Sequence, residues 1–339
     1  MPPAEGRMGV ADARRWGGVS PALDRLGRCV ATCFSRFVKA LVTGGAGFIG
    51  SHLTDALVAG GHEVHVVDNL SSGRIENLEV ALARGAELHV EDVTDAAWMA
   101  DLAGIVRPDV VFHLAAQIDV RRSVDDPTFD AGVNVTGTAA VLDAAHRCGA
   151  GRIVLASTAA VYGRPCELPT TEASPVAPIS PYGASKAAAE AYLGVYGRLH
   201  GTSTLALRMA NVYGSRQDPH SESGVVAIFS AAAIAGYPAI VFGDGLQSRD
   251  YVHVSDVVAA FMAAAVSPAT GVFNISTGRE TSVVEIAEGL GLAVQYAPRR
   301  TGEIERSCLD PSAARRELGW EARTPLRDGL RPLRVALAA

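Results

Sequence analysis

The hydrophobic positions of the chain follow a regular order from residue 38 onwards. Short apolar runs such as "VKALVTGG" and "DVVFHLAA" have the length of buried strands. Between them lie longer segments in which apolar positions recur at helical spacing, such as "FIGSHLTDALVAGG" with its Gly-Gly stop. Because parallel strands require crossover connections, strands that alternate with helices predict an α/β fold built on a doubly wound parallel sheet.

The predicted elements can be read in order along the first two thirds of the chain. Strands are predicted in the segments "VKALVTGG", "HEVHVVDN", "AELHVEDV", "DVVFHLAA", "GRIVLAST" and "STLALRMANVYG". Helices are predicted after the first strand, near residues 96–106, from about 130 to 148, from 182 to about 200, and over 225–236.

The pattern also suggests how the chain is divided. Residues 1–37 mix Pro, Gly, Arg and Trp without sustained periodicity, and we expect a disordered or non-native N-terminal extension, with the natural chain starting near Val38. Residues 38–214 carry the regular alternation and form the first domain. Over 215–339 the alternation loosens and arginines accumulate near the end, which predicts a smaller C-terminal lobe, mainly substrate-binding and partly interleaved with the first domain.

Composition removes several classes of function. The net charge is −6 and no basic stripe is present, which argues against nucleic-acid partners. No apolar run reaches the roughly 18 residues of a membrane span. The five cysteines are scattered without metal-ligand spacing, so we expect no metal site, reduced thiols and a cytoplasmic protein.

A glycine-rich turn follows the first predicted strand. Gly44, Gly47 and Gly50 stand in a GxxGxxG arrangement that opens a helix, where backbone N–H groups can approach a pyrophosphate. The next strand ends in Asp68, 18 residues beyond Gly50, where a carboxylate can accept hydrogen bonds from an adenosine ribose. That carboxylate would repel a 2′-phosphate, so a Rossmann domain that binds NAD is predicted. Asp92 and Val93, after the third strand, would flank the adenine.

A second group of residues indicates proton transfer. Tyr182 and Lys186 are four residues apart, so they project from one helix face. A free tyrosine, with a pKa near 10, is too weak a base at neutral pH. Lys186 and a nearby positive nicotinamide ring would favour the phenolate. Ser157 and Thr158, at the end of the fifth strand, are placed to hold a substrate oxygen.

These segments, in this order, are similar to a known family. "VTGGAGFIGSH", "HLAAQ", "STAAVYG", "SPYGASK", "GDGLQSRDYVHVSD" and "RRTGEIERS" resemble the extended short-chain dehydrogenase/reductases, in their nucleotide-sugar epimerase and dehydratase branch. The similarity covers essentially residues 38–333. It implies an NAD-dependent isomerase that inverts C4 of a UDP-hexose, either UDP-glucose/UDP-galactose or their N-acetylated forms.

The resemblance also implies roles for single residues. Tyr182 would be the base, Lys186 its activator, and Thr158 the catalytic hydroxyl, with Ser157 just before it. Further contacts to the cofactor are implied for Phe48, Ile49, Asn69, Ala115, Ala116 and Asn134. Contacts to the sugar nucleotide are implied for Asn211 at the phosphates, Arg249 and Arg300 at the diphosphate, Val225 and Tyr251 at the nucleotide end, and Glu303 at its ribose.

The chemistry implied by the resemblance is a reversible oxidation. Tyr182 would take the proton of the sugar O4 while C4 gives its hydride to NAD. The 4-keto sugar would turn and take the hydride back on its other face. The cofactor would stay bound and no net oxidation would occur.

Alternatives remain open at this point. The related dehydratases use an acidic pair after the catalytic threonine, whereas Ala159 and Ala160 stand here, which argues against 4,6-dehydration. A UDP-glucuronate 4-epimerase or decarboxylase is the nearest alternative, and a non-catalytic dinucleotide-binding sensor is one of another class. Ser307, small and near the expected sugar site, would leave room for an N-acetyl group. A homodimer is expected through the helices near 130–148 and 182–200.

Overall fold

The computed structural model describes residues 37–219, 224–300 and 304–335. Residues 1–36, which make up nearly all of the predicted N-terminal extension, lie outside the described residues. The strands are β1 (Lys39–Thr43), β2 (Glu63–Val67), β3 (Glu87–His89), β4 (Val110–His113), β5 (Arg152–Thr158), β6 (Ser203–Met209), β7 (Asn211–Tyr213), β8 (Ala239–Phe242), β9 (Ser248–His253), β10 (Gly271–Ile275), β11 (Glu280–Ser282), β12 (Val294–Ala297) and β13 (Arg306–Ser307).

The helices alternate with these strands in the first two thirds of the described chain. They are α1 (Phe48–Ala59), α2 (Glu79–Ala83), α3 (Ala96–Val106), α4 (Val120–Asp125), α5 (Pro127–Ala131), α6 (Thr138–Cys148), α7 (Pro181–His200), α8 (Val225–Ile234), α9 (Val254–Val266), α10 (Val283–Leu290), α11 (Ser312–Leu318) and α12 (Leu326–Val335). None of these described helices combines the length and the hydrophobicity needed to cross a membrane.

A parallel sheet of seven strands forms the centre of the described structure, in the order β10-β6-β5-β4-β1-β2-β3. The predicted α/β fold with a doubly wound parallel sheet is confirmed. Successive residues of each strand face opposite sides, so Leu41 packs in one apolar cluster and Val42 in another. Helices α1 and α9 cover one face, and α3, α6 and α7 cover the other.

A smaller set of strands holds the second part of the site. β9 pairs with β11, β13 and β7, and β8 pairs with β12. Tyr213, Phe229, Ile286 and Leu330 pack together under these strands. Residues 254–275, however, supply strand β10 to the large sheet and helix α9 to one of its faces, so the chain beyond residue 214 contributes to all three sheets of the described structure. The division at residue 214 stays a prediction.

Two predicted elements are interrupted in the structure. The helix expected from about 130 to 148 consists of α5, a π-helical segment over Gly132–Gly137, and α6. Thr138, the first residue of α6, donates from Oγ1 to the carbonyl oxygen of Asn134 in this segment at 2.6 Å. The strand expected over "STLALRMANVYG" is split at Ala210, because β6 pairs with β5 and β10 whereas β7 pairs with β9 in the smaller sheet.

Candidate active site

A cavity of about 900 Å³ lies outside the carboxyl ends of the parallel strands, where open α/β sheets bind their ligands. Most of the residues predicted from the sequence line it. They are Gly44, Gly47, Phe48, Ile49, Gly50, Asp68, Asn69, Asp92, Val93, Ala115, Ala116, Ser157, Thr158, Tyr182, Lys186, Asn211 and Arg249. Cofactor and substrate residues chosen from distant parts of the chain are therefore brought to one cavity.

Four predicted contacts lie elsewhere. Asn134 is 1% exposed, and its amide is used by Gln117 and Ser185, so it supports the loop after β4 instead of lining the cavity. Val225 and Tyr251 belong to the apolar cluster of the smaller sheets, and Arg300 stacks on Phe242, 3.8 Å from the ring centroid. Glu303 lies outside the described residues. The contacts expected of these residues from the resemblance stay predictions.

The glycine-rich turn has the geometry of an anion cradle. Gly44 has φ +70°, and a Cβ on Gly50 would lie 2.1 Å from the Gly44 carbonyl oxygen, so the helix α1 starts directly on the turn. The first turn of α1 has no side-chain cap and no acidic residue. Its N–H groups and the positive end of its dipole therefore remain available to a pyrophosphate, and the residues present fit NAD.

Asp68 holds this turn in place. Its two carboxylate oxygens accept from the backbone N–H of Ala46 and of Leu70, each at 2.9 Å. Burial raises the pKa of Asp68, although these backbone hydrogen bonds lower it in part. Asn69 next to it donates to Asp92 at 2.7 Å. The carboxylate thus orders the glycine turn, and Asp68 also lines the cavity in which a ribose would lie.

Tyr182 and Lys186 lie on the first two turns of α7. Ser180 caps this helix by accepting from the Gly183 N–H at 3.1 Å, and Pro181 occupies the first helical position. Burial raises the pKa of Tyr182 to about 12, with the Asp130 charge in the same direction and a hydrogen bond from Thr158 opposing it. The lowering of the Tyr182 pKa expected from Lys186 and a nicotinamide ring stays a prediction, and burial acts against it.

Lys186 is held in a similarly dry place. Burial lowers its pKa to about 8, while the charges of Glu190 and Asp130 favour the ammonium form. The group is therefore mostly charged at pH 7 but close to its titration range. A lysine in this condition can exchange a proton readily, which an arginine cannot do.

The sequence analysis missed two buried residues, Glu190 and Arg208, that lie behind Ser157. Glu190 accepts from Ser157 Oγ at 2.5 Å and pairs with Arg208, whose Nη2 lies 2.6 Å from Oε2. The Ser157 hydroxyl donates to Glu190, whereas the Thr158 hydroxyl is hydrogen-bonded to Tyr182. A signal was present: Tyr182, Lys186 and Glu190 follow one another at i, i+4 and i+8 on one helix face.

Comparison with known proteins agrees with this geometry. The model of the NAD dependent epimerase/dehydratase family matches residues 40–276. A UDP-glucose 4-epimerase of Mycolicibacterium smegmatis is 48% identical over 306 residues, which are 86% of this chain and 96% of that protein. The crystal structure of the Thermotoga maritima UDP-glucose 4-epimerase with UDP-glucose is similar with a TM-score of 0.84 and 42% identity, covering 88% of this chain and 98% of that one. The crystal structure of the Thermus thermophilus UDP-glucose 4-epimerase in complex with NAD is similar with a TM-score of 0.82 and 40% identity, covering 89% of this chain and 99% of that one.

With its glycine turn, its NAD-binding cavity and these relatives, the chain belongs to the NAD-dependent epimerase/dehydratase family.

Proposed function

We propose that this protein is an NAD-dependent 4-epimerase of UDP-hexoses and interconverts UDP-glucose and UDP-galactose. The observation that carries the proposal is that Tyr182, Lys186 and Thr158 line the same cavity as the glycine turn and Asp68. The relatives named above, with UDP-glucose or NAD bound, support the same substrate and cofactor.

The chain's own groups divide the work at the sugar. Thr158, hydrogen-bonded to Tyr182, orients the O4 hydroxyl, and Tyr182 takes and returns its proton. Bound NAD supplies the positive ring and the site that accepts and returns a hydride. Lys186, buried and charged at neutral pH, adds a second positive charge to this region. Burial and the Asp130 charge raise the pKa of Tyr182 to about 12 even against the Thr158 hydrogen bond, so Tyr182 becomes a base only when the surrounding positive charge outweighs them.

Arg249 and Asn211 are proposed to hold the nucleotide part of the substrate. Both line the cavity on β9 and β7, which pair with each other in the register Asn211↔Tyr251, two residues from Arg249. A guanidinium is well suited to phosphate oxygens, and gripping the substrate through its diphosphate leaves the sugar free to turn over. This freedom is what an inversion at C4 requires.

Ala159 and Ala160 separate this proposal from dehydration. They follow Thr158 on the cavity wall and offer no acid–base group. A UDP-glucuronate 4-epimerase or decarboxylase is the other enzyme to test. The purified protein should convert UDP-galactose to UDP-glucose without added reductant, as followed by chromatography of the products. If the protein instead converts UDP-glucuronate and leaves UDP-galactose unchanged, the proposal is wrong and the enzyme is a UDP-glucuronate 4-epimerase or decarboxylase.

Ser307 supports a second substrate of the same class. Its side chain is small and lines the cavity next to Arg249, to which it pairs in register. An N-acetyl group therefore has room there, and we expect turnover of UDP-N-acetylglucosamine. A Ser307→Tyr variant should lose this activity and keep the UDP-galactose reaction; equal loss of both reactions would contradict the assignment.

We also propose a homodimer in the cytoplasm. On α7, Tyr192, Val195 and Leu199 form an exposed apolar stripe at helical spacing, and Leu199 is 71% exposed. An apolar stripe that is exposed in the described structure fits a four-helix contact with a second copy. Sedimentation should give twice the chain mass, and Leu199→Glu should shift it toward one chain; a monomeric wild type would contradict the proposal. The cytoplasmic location stays a prediction that rests on scattered cysteines.

A further inference from the structure

Two histidines and a glutamate meet on strands β2 and β3, at one edge of the seven-stranded sheet and away from the residues assigned to catalysis. In the strand register His65 on β2 faces Glu87 on β3, and Val67 faces His89. Side chains two residues apart lie on the same face of a strand, so His65, Glu87 and His89 lie together. Their ligand atoms lie within 4.8 Å of one another. We call these three residues the His65 cluster.

The distances in the His65 cluster match those of a tetrahedral metal site. Bonds of about 2.0–2.1 Å from a zinc ion to nitrogen or oxygen place neighbouring ligand atoms about 3.3 Å apart at the tetrahedral angle. The His65 Nδ1 and His89 Nε2 atoms are 3.2 Å apart, and His65 Nδ1 lies 3.5 Å from Glu87 Oε2. Both separations are close to the edge of such a tetrahedron.

Glu63 prepares His65 for this task. Its Oε1 lies 3.2 Å from His65 Nε2, the ring nitrogen that does not face the cluster. A carboxylate at that nitrogen favours the tautomer with a proton on Nε2, which leaves the lone pair of Nδ1 directed toward His89 and Glu87. Metal-ligating histidines usually have such a carboxylate or carbonyl partner at the second nitrogen.

The burial of His65 and the exposure of Glu87 are also compatible with binding of an ion from solvent. His65 is 8% exposed and is held by strands on both sides, so its ring has a fixed direction. The Glu87 side chain, in contrast, is 67% exposed and opens the cluster to solvent. One ligand is therefore rigid and one can close over an arriving ion.

We propose that the His65 cluster binds one divalent transition-metal ion, for which Zn²⁺ is the best fit, with His65 Nδ1, His89 Nε2 and Glu87 Oε2 as ligands and water in the fourth position. Imidazole ligands select against Mg²⁺ and Ca²⁺ and suit zinc, nickel or copper. The proposal goes beyond the epimerase activity and does not depend on it.

The ion would tie an edge strand to the cofactor-binding sheet. β3 has only three residues and is the outermost strand of the seven-stranded sheet in the described structure. The His89 carbonyl accepts from the Asp68 N–H at 3.1 Å, so the cluster adjoins the residue that orders the glycine turn. A metal that joins β2 to β3 should therefore make the domain more resistant to heat.

The test is zinc titration of the full chain, purified without an added histidine tag and with its cofactor left in place. Isothermal titration should give one equivalent of Zn²⁺ per chain, and Co²⁺ in its place should give the intense visible absorption of tetrahedral coordination. Zn²⁺ should raise the Tm of the wild type. Glu87→Gln changes an exposed side chain and should abolish the rise in Tm, and Glu63→Gln should weaken zinc binding about 10–100-fold.

A matched control is available in another histidine. His200 is exposed and stacks on His146 at a ring separation of 3.8 Å, outside the His65 cluster. His200→Gln should bind zinc as the wild type does. The proposal is overturned if no equivalent of zinc binds, if Glu87→Gln and His89→Gln bind it as tightly as the wild type, or if His200→Gln loses binding as they do.

Discussion

The buried ion pair between Glu190 and Arg208 offers the sharpest test of how α7 and the end of β5, which carry the proposed catalytic residues, are held together. The two side chains are 7% and 5% exposed, and Arg208 donates from Nε and Nη2 to the carboxylate at 2.9 and 2.6 Å. Arg208 also lies over the ring of Tyr162, 4.7 Å from its centroid. The perturbation is Glu190→Gln, which keeps the size of the side chain and removes its charge.

The expected effect is large because Arg208 cannot reach water. Removing one partner of a buried pair leaves an uncompensated charge and costs about 3–5 kcal/mol. The same change replaces one of the two carboxylate oxygens, which accept from the Ser157 hydroxyl at 2.5 Å and from Arg208, with an amide NH2 group that cannot accept a hydrogen bond. It also removes a negative charge that favours the ammonium form of Lys186. We therefore expect the free energy of unfolding to fall by about 3–5 kcal/mol.

Urea unfolding followed by circular dichroism measures this loss, with Arg147→Gln as the matched control. Arg147 pairs with Asp143 at 2.7 Å in an i,i+4 geometry, but the side chains are 71% and 41% exposed. An exposed pair of this kind contributes about 0.3–0.5 kcal/mol. If Glu190→Gln costs no more than Arg147→Gln, the pair is not the support that its geometry indicates.

Two further predictions concern the glycine turn and a buried histidine. Gly50→Ala should lose NAD binding, because the added Cβ would lie 2.1 Å from the Gly44 carbonyl oxygen. Gly104→Ala, whose Cβ would have no atom within 4 Å, should raise helix stability by about 1 kcal/mol. Fluorescence titration with NADH checks the first variant and thermal unfolding the second, and NAD binding that survives in Gly50→Ala contradicts the proposed anion cradle. Burial, aided by the Lys186 charge, lowers the pKa of His113 to about 3, below its usual 6.5. The neutral His113 side chain therefore contributes to the free energy of unfolding above pH 6.5, and this contribution is lost as the pH falls toward 3. Between pH 7 and 5 the wild type should therefore lose about 2 kcal/mol more of its unfolding free energy than His113→Gln; equal losses in urea unfolding refute this.

Sequence patterns predicted those parts of the structure that are set by neighbouring residues. The strands β1, β2 and β4 to β6 are short runs rich in apolar residues, and the glycine turn and the Tyr182–Lys186 pair are local motifs. The family resemblance built on them is confirmed by the family match and by the relatives.

Features that depend on strand register could not be predicted in this way. Arg208 reaches Glu190 only because β6 lies beside β5 and under α7, and the His65 cluster exists only because His65 pairs with Glu87 across two strands. The helix break before α6 depends on how Asn134 is bound by the loop after β4. At the nucleotide end, Tyr251 packs in the apolar cluster of the smaller sheets, whose strands come from distant parts of the chain.

The central claim is that the Tyr182 hydroxyl moves the proton of the sugar O4. It is tested most directly by the rate at which Tyr182→Phe, with NAD bound, converts UDP-galactose to UDP-glucose. General acid–base catalysis contributes about 10²–10⁴-fold, so kcat should fall by that factor while NAD stays bound, because the ring is kept and only the oxygen is lost. A Tyr182→Phe enzyme with NAD bound and kcat close to that of the wild type would contradict the account.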